Sequence, residues 1–154
     1  MKPFNPKEFR VTALRECPVP AEMLLCDTPQ KAFEYWQLHV KTSTHFDPEA
    51  ECLVALLLNT RRRVKGHQLV TIGTMDMLLV DPRTLFRVAI IAGTAALVLM
   101  HNHPSGDASP SESDIKVTRD LVRAGHLLKI EVLDHVIVGA NTHFSLREHG
   151  YLQS

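Results

Sequence analysis

Residues 95–114 read AALVLMHNHPSGDASPSESD, and the fold turns on this stretch. The apolar run from Ala95 to Met100 suits a buried strand and is far too short to span a membrane. Polarity sets in at His101. Pro104 cannot continue a β-ladder, so the strand should end there. A loop rich in Pro, Ser and Gly follows, from Asn102 to Pro110. Ser111 then reads as a helix N-cap, with Asp114 three residues on, in the first turn. That helix is expected to run to about Gly125, with Ile115, Leu121 and Val122 inward and Val117 beside them. Strand, loop and helix in direct succession predict a sheet with helices packed on it.

The pattern extends both ways along the chain. Upstream, Glu51 opens the strand ECLVALLLN, apolar from Cys52 to Leu58 and so buried on both faces. TRRRVKG reads as a polar turn and HQLVTIGT as the returning strand of a hairpin. Asp81-Pro82 precedes a helix with Leu85, Phe86, Ala89, Ile90 and Gly93 on or near one face. Thr28-Pro29 reads as an N-cap and first helical residue. Phe33, Trp36 and Val40 then mark the buried face of a helix over about 29–41. Phe9 to Leu14 suits a short strand. Downstream, EVLDHVIVG is a strand and HFSL its antiparallel partner. The order is an α+β (mixed α/β) sandwich, a mixed sheet flanked by helices. Residues 1–47 are expected to form an N-terminal extension whose single helix packs on a domain spanning 48–154.

The 154 residues suit one ordinary domain, able to bury roughly 70% of its unfolded surface. A hydrophobic fraction of 45% excludes a disordered or collagenous chain. Lys plus Arg and Asp plus Glu both total 17, which argues against a polyanion binder working by bulk charge. Cys17, Cys26 and Cys52 are odd in number and form no C-x-x-C, so neither a disulfide framework nor a thiolate zinc site is suggested. MKPFNPKEFR has no apolar core of a signal peptide, and the expectation is a reduced, cytoplasmic chain.

His101 and His103 carry the chemistry. Positions i and i+2 of a strand face the same way, about 6–7 Å apart at Cα, so both imidazoles can converge on one ion. Asp114 is the natural third ligand, because a helix N-terminus favours a carboxylate. Two histidines and a carboxylate leave a fourth position for water, the pattern of a catalytic zinc site. Such a site needs a proton carrier. Glu51 is preferred, since a carboxylate at the head of an apolar strand has no packing reason to be there. Ser111 could cap its helix or hydrogen-bond a developing oxyanion.

Glu51, His101-x-His103-Pro104 and Ser111-x-x-Asp114 together resemble the JAMM (MPN+/JAB) metalloprotease motif. LMHNHPSGDASPSESD, with LDHVIVG and FSLREHG, is similar to the RadC branch of that family over roughly residues 48–152. The resemblance implies a curved sheet flanked by helices, similar to cytidine deaminases. It implies one Zn2+ per chain on His101, His103 and Asp114. It implies Glu51 as general acid/base on the zinc's water, with Ser111 helping to hold that water or the oxyanion. Characterised relatives cleave peptide or isopeptide bonds. RadC proteins also carry a DNA-repair name and usually a helix-hairpin-helix segment ahead of the metal domain. Here about 47 residues stand there, with no G-x-G hairpin.

Plainer readings stand beside these. His101 and His103 could be strand-end residues with local hydrogen bonds. Ser111 and Asp114 could be a capping box alone, and Glu51 a solvated edge residue. Asp134-His135 reads first as a structural strand pair and second as a pair orienting a ligand. Arg61-Arg62-Arg63-Val64-Lys65 reads first as a solvated hairpin end and second as a patch for nucleic acid or an acidic partner. Two functions therefore compete. One is a zinc hydrolase acting on a peptide or protein. The other is a DNA-repair-associated module binding DNA or a protein partner. A nucleobase deaminase would need H-x-E with P-C-x-x-C, and neither string is present.

Overall fold

A computed structural model describes residues 6–10, 24–72 and 80–152. From residue 11 on, the strand expected over 9–14 lies outside the described residues, as does the hairpin strand beyond Ile72.

Among the described residues, five strands form one sheet: β1 (Cys52–Leu58), β2 (Val64–Ile72), β3 (Ala96–Asn102), β4 (Glu131–Val138) and β5 (His143–Ser145). Their order is β2-β1-β3-β4-β5. β3 and β4 are parallel and the other neighbours antiparallel, so the sheet is mixed. Parallel neighbours need a crossover. Helix α3 (Glu112–Leu128) supplies it; α1 (Pro29–Tyr35) and α2 (Pro82–Ile91) are the other α-helices among the described residues. The mixed sheet flanked by helices is the α+β fold expected from the sequence.

β1 and β3 are buried along their whole length. One face of the sheet, with Val54, Leu56, Val98, Met100 and Val136, packs on Tyr35, Trp36 and Val40. The other, with Leu53, Ala55, Leu57, Leu97 and Leu99, packs on Leu85, Phe86, Ala89, Val117 and Leu121. Two covered faces explain why both strands read as unbroken apolar runs.

Four details depart from expectation. The segment expected as helix over 29–41 is α-helical only to Tyr35; Trp36–Val40 winds as a π-helix, closed by Lys41 N donating to Trp36 O at 2.9 Å. β2 begins at Val64, inside the expected turn, because Asn59 Oδ1 accepts from Arg61 N and Arg63 N and closes the turn early. Ile90 is 55% exposed. At 3.6 residues per turn it stands about 140° round from Leu85, off the buried stripe. Helix α3 continues past Gly125 to Leu128 and ends on Lys129 in the left-handed conformation (φ 60°). Gly125 is instead a close-approach position: a Cβ there would sit 2.4 Å from Ile130 O.

Candidate metal centre

Three separate segments bring the predicted residues together. His101 stands near the carboxyl end of β3, fully buried, on the face that meets α3. His103 lies just past the strand, and its N–H donates to Val138 O at 2.9 Å, extending the β3–β4 ladder until Pro104 stops it. Glu51 immediately precedes β1, where Leu53 pairs with His101. Asp114 is in the first turn of α3.

The Nε2 atoms of His101 and His103 are 2.9 Å apart. Asp114 Oδ1 is 3.3 Å from His101 Nε2, and Asp114 Oδ2 is 3.3 Å from His103 Nε2. Glu51 Oε1 is 3.3 Å from His101 Nε2 and 3.8 Å from His103 Nε2. All four ligand atoms lie within 4.8 Å of one another, the one such group of His, Cys, Asp and Glu among the described residues. Glu51 is 5% exposed, which overturns the solvated-edge reading.

Local chemistry holds each group. Ser111 Oγ accepts from Asp114 N at 3.1 Å while Ser111 N donates to Asp114 Oδ2 at 2.8 Å, a reciprocal capping box. Ser111 is itself exposed, and its contact with the cluster runs through Asp114. His103 Nδ1 is 2.7 Å from Asp107 O. A carbonyl only accepts, so this nitrogen donates and Nε2 faces the cluster.

Electrostatics follows from burial and proximity. Burial alone would raise the Asp114 pKa, but the facing rings of His101 and His103 and the bond from Ser111 N hold it far below the usual carboxylate range. The same bond to Asp114 raises His103. Burial raises Glu51, the histidines offsetting part of the effect. Burial lowers His135 well below the ordinary histidine value.

The donor set fits a divalent cation. Imidazole nitrogens and carboxylate oxygens are the ligands zinc takes when thiolates are absent. Here they crowd together with little else to neutralise them, an arrangement that costs energy unless a cation or proton stands among them.

Three residues beyond the expected set support the cluster. His135 Nε2 is 2.7 Å from His101 Nδ1, and His135 Nδ1 is 2.6 Å from Thr118 Oγ1. Of the Asp134-His135 pair, it is the His135 ring that bonds His101, the contact a ligand-orienting role would require. Asp134 serves the fold, accepting from Ser145 Oγ, His135 N and Arg147 N. A register shift in β4, which leaves Leu133 without a β3 partner, puts His135 on the same face as Val132 and His101. Asn102 is the third: Cys52 N donates to its Oδ1 at 2.8 Å, and its Nδ2 donates to Ala50 O at 2.9 Å. Its amide thus grips the backbone on both sides of Glu51. The string HNHP contains this asparagine, but nothing local distinguishes it from a loop residue.

The basic turn is partly engaged within the chain. Arg62 pairs with Glu131 at 3.3 Å, and Lys65 Nζ donates to the Ala92 carbonyl that ends α2. Both are exposed interactions worth little each.

With the fold and cluster defined, comparison with known proteins identifies the family. The profile of the RadC-like JAB domain matches residues 26–151. The chain belongs to the RadC-like JAB domain family. Among relatives of this RadC-like chain, a UPF0758 protein of Chlorobaculum parvum is 44% identical over 123 residues, 80% of this chain and 53% of the relative. A UPF0758 protein of Desulforamulus reducens is 45% identical over 106 residues, 69% and 47% respectively. One from Alkaliphilus metalliredigens is 51% identical over 92 residues, 60% and 40% respectively. The chain thus spans about half the length of the curated relatives it matches. The matched segment includes α1. Among the described residues, no helix is long and apolar enough to cross a membrane.

Proposed function

We propose that this RadC-like JAB domain is a zinc-dependent hydrolase that cleaves a peptide or isopeptide bond in a protein substrate. The observation that carries the reading is the convergence of Glu51, His101, His103 and Asp114 on one buried point from three separate segments. A carboxylate and a divalent site side by side are what water-based hydrolysis of an amide needs. His101, His103 and Asp114 would hold the ion, which when bound supplies a Lewis acid that polarises a carbonyl and acidifies water.

Glu51 holds and moves the proton. Its carboxyl is kept mostly from solvent, and burial raises its pKa, which makes it a better proton acceptor. It would take a proton from the attacking water and return it to the leaving amine. Ser111 Oγ already accepts from Asp114 N, so its own proton is free to donate to a developing oxyanion.

Metal content per chain, measured by elemental analysis on protein purified without a metal-affinity tag, tests the site. One zinc in the wild type and none in His103→Ala is expected. Cleavage of peptides and ubiquitin-like conjugates then tests the chemistry, with Glu51→Gln expected to abolish turnover while keeping zinc. Zinc-free wild type after zinc is added back, or hydrolysis untouched by both variants, would overturn the reading.

A further inference from the structure

We infer that Thr118 and His135 are positioning residues that lock His101 into the tautomer with a bare Nε2 facing the cluster. The inference rests on the metal-site reading above and extends it by two residues.

Thr118 Oγ1 is 2.5 Å from the backbone oxygen of Asp114, four residues back on α3. A carbonyl oxygen has no proton to give, so the threonine hydroxyl donates there and its single proton is committed. Its oxygen can then only accept from His135 Nδ1, 2.6 Å away. His135 is fully buried, and neither ring nitrogen is bonded to a carboxylate, so the ring is neutral. A neutral imidazole protonated at Nδ1 carries a lone pair at Nε2. That lone pair faces His101 Nδ1 at 2.7 Å, so His101 donates from Nδ1 and its Nε2 is unprotonated. Nε2 is the atom directed at His103 and Asp114.

The relay closes on itself. It starts at the backbone of Asp114, one proposed ligand, and ends on the ring of His101, another. Thr118, His135 and His101 are all fully buried, so bulk water does not compete for these bonds. His103 reaches the same tautomer by a separate route, through Asp107 O, and its ring is partly exposed. The two histidines are thus prepared independently. A histidine that presents a lone pair before the metal arrives need not lose a proton or turn its ring to bind.

Thr118→Val tests this. Valine keeps the shape and removes the acceptor, so His135 is free to move its proton to Nε2. His101 must then accept at Nδ1 and protonate Nε2. Two readouts are taken at about pH 8, where neutral imidazole dominates. Long-range 15N–1H correlation spectra of metal-free, 15N-histidine-labelled protein report the tautomers of His101 and His135. Competition between the protein and a chromophoric chelator reports zinc affinity. In the wild type both rings should be protonated at Nδ1. Thr118→Val should move the His101 proton to Nε2 and weaken zinc binding about 10- to 100-fold, and Thr118→Ser should restore both. A wild-type His101 protonated at Nε2 overturns the relay without recourse to any variant. So does a folded Thr118→Val with unchanged tautomers and unchanged zinc affinity. A wild type that takes up no zinc overturns the metal reading instead, and the metal-free tautomers still decide the relay.

Discussion

Replacing Asn102 tests how the fold holds Glu51 in place. The Asn102 amide is 6% exposed and bonds Cys52 N at 2.8 Å and Ala50 O at 2.9 Å. Asn102→Ala removes both bonds, each worth about 1 kcal/mol net. For the Cys52 N–H, in a residue with no solvent exposure, stranding replaces that net value with a cost of roughly 1–3 kcal/mol if no water replaces the amide. The Ala50 carbonyl belongs to a half-buried residue and can find water, so it adds little. The sum, allowing for partial relaxation, is a loss of about 2–3 kcal/mol. In a urea titration of metal-free protein this moves the midpoint by about 1–2 M at unchanged slope. In a thermal melt it lowers Tm by about 4–12 °C. Asn102→Asp sharpens the test. Its carboxylate can still accept from Cys52 N but now meets the Ala50 carbonyl oxygen to oxygen. The deficit should therefore be present at pH 7 and shrink on acidification, when a protonated carboxyl can donate to Ala50 O. A loss below about 1 kcal/mol for Asn102→Ala, or Asn102→Asp as stable as wild type at pH 7, would refute the clamp.

Other perturbations have equally definite outcomes. In metal-free protein, Asp114 sits below its ordinary 3.8, so its contribution is present above that pH and fades as pH falls. His103 sits above its ordinary 6.5, so its contribution is complete below that pH and lost as pH rises through the raised value. The stability gap between wild type and Asp114→Asn should therefore be widest between about pH 4 and 6.5, as denaturation midpoints across pH will show; a flat gap contradicts the pairing. Gly125→Ala sets a helix-propensity gain of about 1 kcal/mol against a Cβ placed 2.4 Å from Ile130 O. Backbone cannot yield as a side-chain tip can, so overpacking wins and urea midpoints should report a net loss of about 1–2 kcal/mol; a more stable variant would contradict this. Burial, with Asp27 adding to it, pushes the Cys26 thiol up to about 11. Peptide mapping after iodoacetamide at about pH 8 should find Cys26 unmodified in native protein and modified in urea, and rapid native alkylation would disprove the burial.

Much of the candidate site was legible because its signals are local. The apolar run ending at His101, the i, i+2 histidines and the Ser111–Asp114 capping box each depend on neighbours within a few residues. Backbone geometry and hydrogen-bond capping decide such features wherever the segment sits. The strand order along the chain was readable for the same reason: β1 and β3 are apolar throughout because both faces are covered. Asp81-Pro82 likewise announced α2, and Asp81 does cap it.

What the tertiary structure alone decided is long-range. Glu51 reaches His101 across fifty residues of chain because β1 pairs antiparallel with β3. Strict alternation along β4 would have put His135 on the face opposite Val132; the register shift at Leu133 reverses that. Asn102 is one more loop-edge asparagine until the start of β1 lies beside it. Ile90 lost its place in the core because the sheet covers only part of the α2 surface. Each case turns on register and on which surfaces meet. Those are fixed when distant segments pack, and a pattern within one segment does not encode them.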